Sequence, residues 1–313
     1  MQIASFKKKS ETENASIGIL FKNKILDVRK ASQHFNNENF NFPDTIKSFL
    51  EKGDSEIQNL KKLISLANEY SEVVSDSCYE LNDIHFFPPI ANAHKLLCVG
   101  KNYKTHLEEL KRTDLIKELP HEPTGFIKIN ECLTGHDTVV KRPPTVTRLD
   151  YEPELVFVIG KRAFEVTEKD AFSYVYGITI LNDLTCRDTQ KSEVTSGSRF
   201  WTSKNAPGFG PLGPFVISMD EVPDPYNIWV TCSVNGQERM RVNTSDQIWK
   251  LPRIIQHFSR LMPLMPGDMF STGAPGGVAV GKANAEDLFL KNGDIVECAF
   301  ENPKMILRTH IVT

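Results

Sequence analysis

The chain has six cysteines but no CxxC pair, which excludes a zinc ribbon and a compact disulfide framework. Cys78, Cys98, Cys132, Cys186, Cys232 and Cys298 stand far apart and read as reduced, mostly buried thiols. No uninterrupted apolar run is long enough to span a bilayer. There is no surplus of positive charge either. A formal net charge of -3 leaves no basic stripe for nucleic acid. The opening MQIASFKKKSETENASIGILF lacks the apolar core of a secretory signal, and its acidic residues fit a transit peptide poorly. These absences point to a cytoplasmic protein whose partner is a small molecule or a second copy of itself.

The 313 residues suffice for a large core or two domains, and the charged and apolar fractions are ordinary for a globular protein. IGILF, a KNK turn and ILDV read as a hairpin, while PDTIKSFLEKG and SEIQNLKKLISLANEYSE have helical apolar spacing. Together they predict a small α+β domain over 1–87. Pro88 and Pro89 break regular structure, and a second domain is expected over 88–313. That segment is a series of short strands: KLLCVG, GFIKI, ELVFVIG, YGITILND, GPFVISM, IWVTCSVNG, DIVECAF and MILRTHIV. Helices are expected at 106–117, at 168–171 and a little beyond, and at 251–260. The pattern favours a β-rich α+β fold over a doubly wound sheet.

In LDYEPELVFVIG, Glu152 and Glu154 are two apart in an extended run. They would project from the same side with α-carbons about 6 to 7 Å apart and repel each other. The continuously apolar Leu155 to Ile159 predicts a strand covered on both faces. Two carboxylates at its mouth need a cation, a shared proton or open water. A second apolar strand, YGITILND, ends in Asp183. The three acids would form an all-oxygen donor set, suited to Mg²⁺ or Mn²⁺, with positions left for water and substrate. A solvated edge strand and a turn-capping aspartate would give the same spacing.

The ordered segments CVGKNYKTHLEEL, GFIKI, LDYEPELVFVIG, YGITILNDLTCRDTQ, SKNAPGFGPLGPFV, VNGQERMRVNTSDQIW and MPGDMFSTGAPGGV resemble the fumarylacetoacetate hydrolase family over residues 95–313. The resemblance implies a mixed β-sandwich roll, commonly a homodimer, and a divalent metal held by Glu152, Glu154 and Asp183. It implies that His106 and Glu109 activate a water, that Lys204 and Gln190 contact substrate, and that Lys128 and Arg187 occupy family positions.

His106 and Glu109, three apart in a helical stretch, share a face, and a carboxylate beside an imidazole raises its basicity. Lys204 lies in a loop-like stretch of Gly, Pro and Asn. Lys128, between Ile127 and Ile129, is expected to face either the site or solvent. Gln190 offers an amide to a substrate carboxylate or caps a turn. Arg187, followed by Asp188, reads as part of a structural ion pair rather than a direct ligand. The glycines of TGAPGGV permit a backbone turn close to the site.

Where the family commonly has TGTP this chain has TGAP, so Ala274 replaces a hydroxyl. Met240 stands where a glutamine is frequent, and SKN replaces GKS around Lys204. The leading expectation is metal-dependent cleavage of a carbon–carbon bond in a 2-oxo acid through an enolate, either acylpyruvate hydrolysis or oxaloacetate decarboxylation. A hydratase or isomerase of an unsaturated 2-oxo diacid, and a non-catalytic oxo-acid-binding protein, are the alternatives.

Overall fold

The computed structural model describes residues 1–10, 15–112, 121–197 and 200–313. Strands β1 (Gln2–Lys8), β2 (Ser16–Phe21) and β3 (Lys24–Asp27) open the chain. The β2–β3 hairpin turns through Lys22 and Asn23, both with positive φ, as a two-residue turn that matches strand twist requires. Helix α1 (Ile46–Glu51) is capped by the Thr45 side chain. In α2 (Asp54–Glu69), Leu60, Leu63 and Ala67 form a buried stripe at helical spacing. Strands β4 (Cys78–Glu80) and β5 (Ile84–Phe87) complete this part.

There follow β6 (Leu96–Val99), α3 (Lys104–Arg112), β7 (Gly125–Lys128), β8 (Thr138–Lys141), β9 (Pro153–Ile159), β10 (Val175–Asn182) and α4 (Arg187–Thr195). The chain ends with β11 (Val216–Ser218), β12 (Trp229–Val234), β13 (Gln237–Asn243), α5 (Leu251–Ser259), β14 (Met269–Ser271), β15 (Ile295–Glu301) and β16 (Lys304–Val312). Eleven strands form one mixed sheet in the order β4-β3-β2-β1-β11-β10-β9-β14-β6-β7, with β5 beside β1. A five-stranded sheet has the order β13-β12-β15-β16-β8. Neither closes into a barrel. The molecule is the β-rich α+β fold that the sequence predicts.

The N-terminal strands extend the large sheet, with Ile3 of β1 opposite Val216 of β11. One core joins Leu155, Phe157 and Ile159 of β9 to Val230, Val296, Phe300 and Leu307 of the five-stranded sheet. A second joins Val156 and Val158 to Phe49 and Leu50 of α1 and Leu60 and Leu63 of α2. All seven residues of β9 are therefore buried, as its uninterrupted apolar run requires.

The expected helix at 106–117 begins at Lys104, and its 113–117 portion lies outside the described residues. The expected helix at 168–171 is a 3₁₀ helix, Glu168–Tyr174. Helix α4 was not legible, because RDTQKSEVT offers a single large apolar residue, Val194, and therefore no periodicity.

Candidate metal centre and active site

The antiparallel pairing of β9 with β10 sets Glu154 opposite Leu181 and Pro153 opposite Asn182. The Asp183 N–H donates to the Glu152 carbonyl at 2.8 Å. Two stretches 29 residues apart thus bring their acids to one edge of the sheet interior. Glu152, Glu154 and Asp183 are all buried.

Two lysines reach the same place. Lys204 donates through Nζ to Glu152 Oε2 at 2.5 Å and also to Asp183 Oδ2. Lys128, fully buried on β7, donates to Asp183 Oδ1 at 2.8 Å, to the Phe209 carbonyl at 3.1 Å and to the Lys204 carbonyl. Of the two directions left open for Lys128, the structure takes the one toward the site.

Arg187 is ion-paired, but not with its neighbour. Its guanidinium contacts Asp150 Oδ2 at 2.8 Å and Glu152 Oε1 at 2.7 Å, and donates to Gln190 Oε1 at 2.9 Å. Asp188 instead accepts from the N–H groups of Thr147 and Arg148. The correction follows from helix geometry, since consecutive residues of α4 point about 100° apart and do not face each other.

Glu154 differs from the other acids. The Ser271 hydroxyl of β14 donates to its Oε2, and among the described residues no lysine or arginine pairs with it. Four buried carboxylates, Asp150, Glu152, Glu154 and Asp183, thus face three buried cations, Lys128, Arg187 and Lys204. Burial alone would raise Glu152, but Lys204 and Arg187 outweigh it and hold that carboxyl at about 2. Burial, Asp183 and Glu152 together push Glu154 well above the ordinary carboxylate range. Burial opposes the Lys204 charge, yet Asp183, Glu152 and Glu154 prevail and raise its pKa.

Such a cluster fits a divalent cation. Its donors are hard oxygens, one carboxylate lacks a cationic partner among the described residues, and a lysine ammonium already bridges two of the acids. Cys98 of β6 also approaches, its Sγ lying within 4.8 Å of ligand oxygens of Glu154 and Asp183. Burial, followed by Asp183 and Glu154, pushes that thiol well above its usual range.

On α3, His106 Nδ1 lies 3.4 Å from Glu109 Oε2, while Glu109 Oε1 accepts the Gly277 N–H at 2.8 Å. The carboxylate is thus held on one side by backbone and faces the imidazole on the other. Glu152, Glu154, Arg187, Gln190, Lys204 and His106 all line one cavity of about 60 Å³. That volume holds a few water-sized groups. Its remaining wall comes from Val99, Gly100, Lys101, Phe126, Val194, Phe200, Gly273 and Ala274. Gly273 has φ +88, and a β-carbon there would lie 2.6 Å from the Val99 carbonyl, so only glycine lets this turn press against β6.

The structure therefore brings together every site residue expected from the sequence. Lys128, Asp183 and Glu109 contact residues of the cavity wall but do not line the cavity themselves. Sequence reasoning missed Ser271, Asp150, Cys98 and Lys101. Asp150, directly before Tyr151-Glu152, offered the one local signal: another acid at the mouth of a buried strand.

The family model described as Fumarylacetoacetate (FAA) hydrolase C-terminal matches residues 95–312. The chain belongs to this family. It is 32% identical over 280 residues to oxaloacetate tautomerase YisK of Bacillus subtilis (strain 168), covering 89% of this chain and 90% of the relative. It is 33% identical over 259 residues to mitochondrial oxaloacetate tautomerase fahd2 of Xenopus laevis, covering 83% and 76% of the two chains. The solved fumarylacetoacetate hydrolase EaFAH of psychrophilic Exiguobacterium antarcticum superposes with a TM-score of 0.77 at 26% identity, over 100% of this chain and 99% of that one. That superposition takes in the N-terminal segment as well.

Proposed function

We propose that the protein is a divalent-metal-dependent enzyme of small 2-oxo acids that works through the enolate of its substrate. The observation that carries this reading is that Glu152, Glu154, Lys204 and His106 face one cavity. Glu152, Glu154 and Asp183 would hold Mg²⁺ or Mn²⁺, which when bound supplies Lewis acidity toward the substrate's keto oxygen and carboxylate. Lys204 and Arg187 fix positive charge at the same end and favour negative charge developing on that oxygen. Gln190 receives Arg187 through its carbonyl, which leaves its amide group as a donor.

His106, oriented by Glu109, moves the proton. With oxaloacetate, which the two relatives carry in their names, the imidazole takes a proton from C3 while the electron pair shifts toward the keto oxygen. Returning the proton to that oxygen gives the enol, with nothing gained or lost overall; the reverse restores the ketone. A second reading is cleavage, favoured by the burial of His106 beside the cavity. There the imidazole takes a proton from water, the hydroxide adds to the distal carbonyl of an acylpyruvate, and the carbon–carbon bond breaks with its electron pair on the pyruvate enolate. Loss of CO₂ from oxaloacetate gives the same enolate without water. The homodimer and the cytoplasmic location belong to the same proposal.

The test follows enol absorbance of oxaloacetate and pyruvate release from oxaloacetate and a short acylpyruvate, with Mg²⁺ or Mn²⁺ and then EDTA, above the metal-only background. Metal-dependent decay of the enol without pyruvate supports tautomerisation, and pyruvate release supports cleavage. Neither activity with any of these substrates contradicts the proposal.

A further inference from the structure

We propose that Phe126 and Phe200 are positioning residues that hold the Lys204 ammonium against their rings and so fix its charge beside the oxyanion that develops on the substrate. The assignment rests on the oxo-acid reading above and says how that site keeps its lysine in place. Both rings line the cavity together with Lys204. Lys204 Nζ lies over the Phe126 ring, 5.2 Å from its centroid, and over the Phe200 ring at 5.9 Å. At these separations the quadrupole of an aromatic ring attracts a cation.

Strand alternation and one loop bring the rings there. In β7, Phe126 and Lys128 are two apart and project from the same side of the strand. Lys128 bonds the Lys204 carbonyl, while Phe126 reaches the Lys204 ammonium. One short strand thus fixes both the backbone and the tip of this lysine. Phe200 comes from the segment just before Lys204. Its ring meets Phe126 in a T-shaped pair, with centroids 5.3 Å apart and planes at 89°, an arrangement in which each ring restrains the other.

The ammonium needs such restraint. It is a compact charge on a flexible stem, without the planar fork that orients a guanidinium. Of its three N–H donors, Glu152 and Asp183 take two. Lys204 is only 3% exposed, so what remains of its surface meets the two rings and the cavity rather than bulk water. The rings limit its movement on the cavity side without adding another negative charge. An acid in their place would neutralise the ammonium, and an aliphatic side chain would fill the space but attract no cation. The charge therefore stays available to an oxyanion, at the low local dielectric where it acts most strongly.

The experiment is calorimetric titration of the Mn²⁺-loaded protein with oxalate, a planar dianion that fills the keto-acid end. Phe126→Leu and Phe200→Leu keep an apolar filling and lose the ring, while Phe126→Tyr keeps the ring. Each leucine variant should bind oxalate about fivefold to thirtyfold more weakly, and Phe126→Tyr should bind it as the wild type does. Wild-type affinity in both leucine variants overturns the assignment, and so does equal loss in the leucine and tyrosine variants. Urea unfolding of the wild type, Phe126→Leu, Lys204→Met and the double variant, all with Mn²⁺, reads the contact without a ligand. Loss of the ring should cost less once the ammonium is gone; strictly additive effects overturn the ring–ammonium contact. Failure of the wild type to bind oxalate with Mn²⁺ overturns the oxo-acid reading, and with it the role at an oxyanion, whatever the unfolding shows.

Discussion

Ser271 donates its hydroxyl to Glu154, and this is the only hydrogen bond to that buried carboxylate among the described residues. Every other acid of the cluster has a lysine or arginine: Asp150 and Glu152 share Arg187, and Glu152 and Asp183 share Lys204. A buried charge compensated only by a hydroxyl is costly. The imbalance at Glu154 is therefore the feature that most strongly calls for a cation.

The first consequence concerns pH. The folded, metal-free protein holds the Glu154 proton more tightly than the unfolded chain, whose carboxyl titrates near 4.5. This contribution to stability is fully present below that pH and is lost as pH rises through the raised folded value. Glu152, whose carboxyl is held at about 2, acts in the opposite sense and loses its contribution as pH falls from 4.5 toward 2. Glu154→Gln isolates the former effect: in EDTA its melting temperature relative to wild type should climb between pH 5 and pH 8. A constant difference across that range would contradict the assignment.

Lys204 should be structural as well as functional. Replacing it with methionine leaves Glu152 and Asp183 short of a buried cation, and loss of one partner of a buried pair typically costs about 3–5 kcal/mol. Lys204→Met should therefore unfold at markedly lower denaturant concentration in EDTA and recover part of the loss with Mn²⁺. Equal stability of the two proteins in EDTA would show that the ammonium does not neutralise the cluster.

For His106 and Glu109 the expected outcome is kinetic. His106→Asn should lower kcat by about 10² to 10⁴ while Mn²⁺ affinity stays the same. Glu109→Gln keeps the acceptor for the Gly277 N–H but removes the charge that faces the imidazole, so kcat should fall by less than in His106→Asn. A His106→Asn enzyme with wild-type kcat would remove this residue from the proton-transfer role.

Much of this arrangement could be read from the chain itself, because it is built on strand periodicity. The continuous apolar run of β9, the acids at its start and the acid after β10 are local facts, and antiparallel pairing of the two strands makes them one site. The hidden part arises from pairing between distant segments. Ser271 and Cys98 come beside Glu154 because β14 lies between β9 and β6, which no local pattern reveals. Arg187 finds Asp150, 37 residues away, instead of the adjacent Asp188, because neighbouring residues on a helix diverge.

Ala274 offers a test of selectivity. It lines the cavity and is buried, so Ala274→Thr places a hydroxyl on the wall with little change elsewhere. The ratio of kcat/KM between two oxo acids should shift by about one order of magnitude, the scale of one buried hydrogen bond. An unchanged ratio would mean that the substrate does not reach this wall.

The most direct measurement is Mn²⁺ binding followed by the electron paramagnetic resonance of the free ion, in wild type, Glu154→Gln and Asp183→Asn, with circular dichroism on each. The account predicts one bound Mn²⁺ per wild-type chain, release by EDTA, and at least tenfold weaker binding in both folded variants. Absence of binding in the wild type, or equal binding in all three proteins, would contradict a metal centre built from these carboxylates.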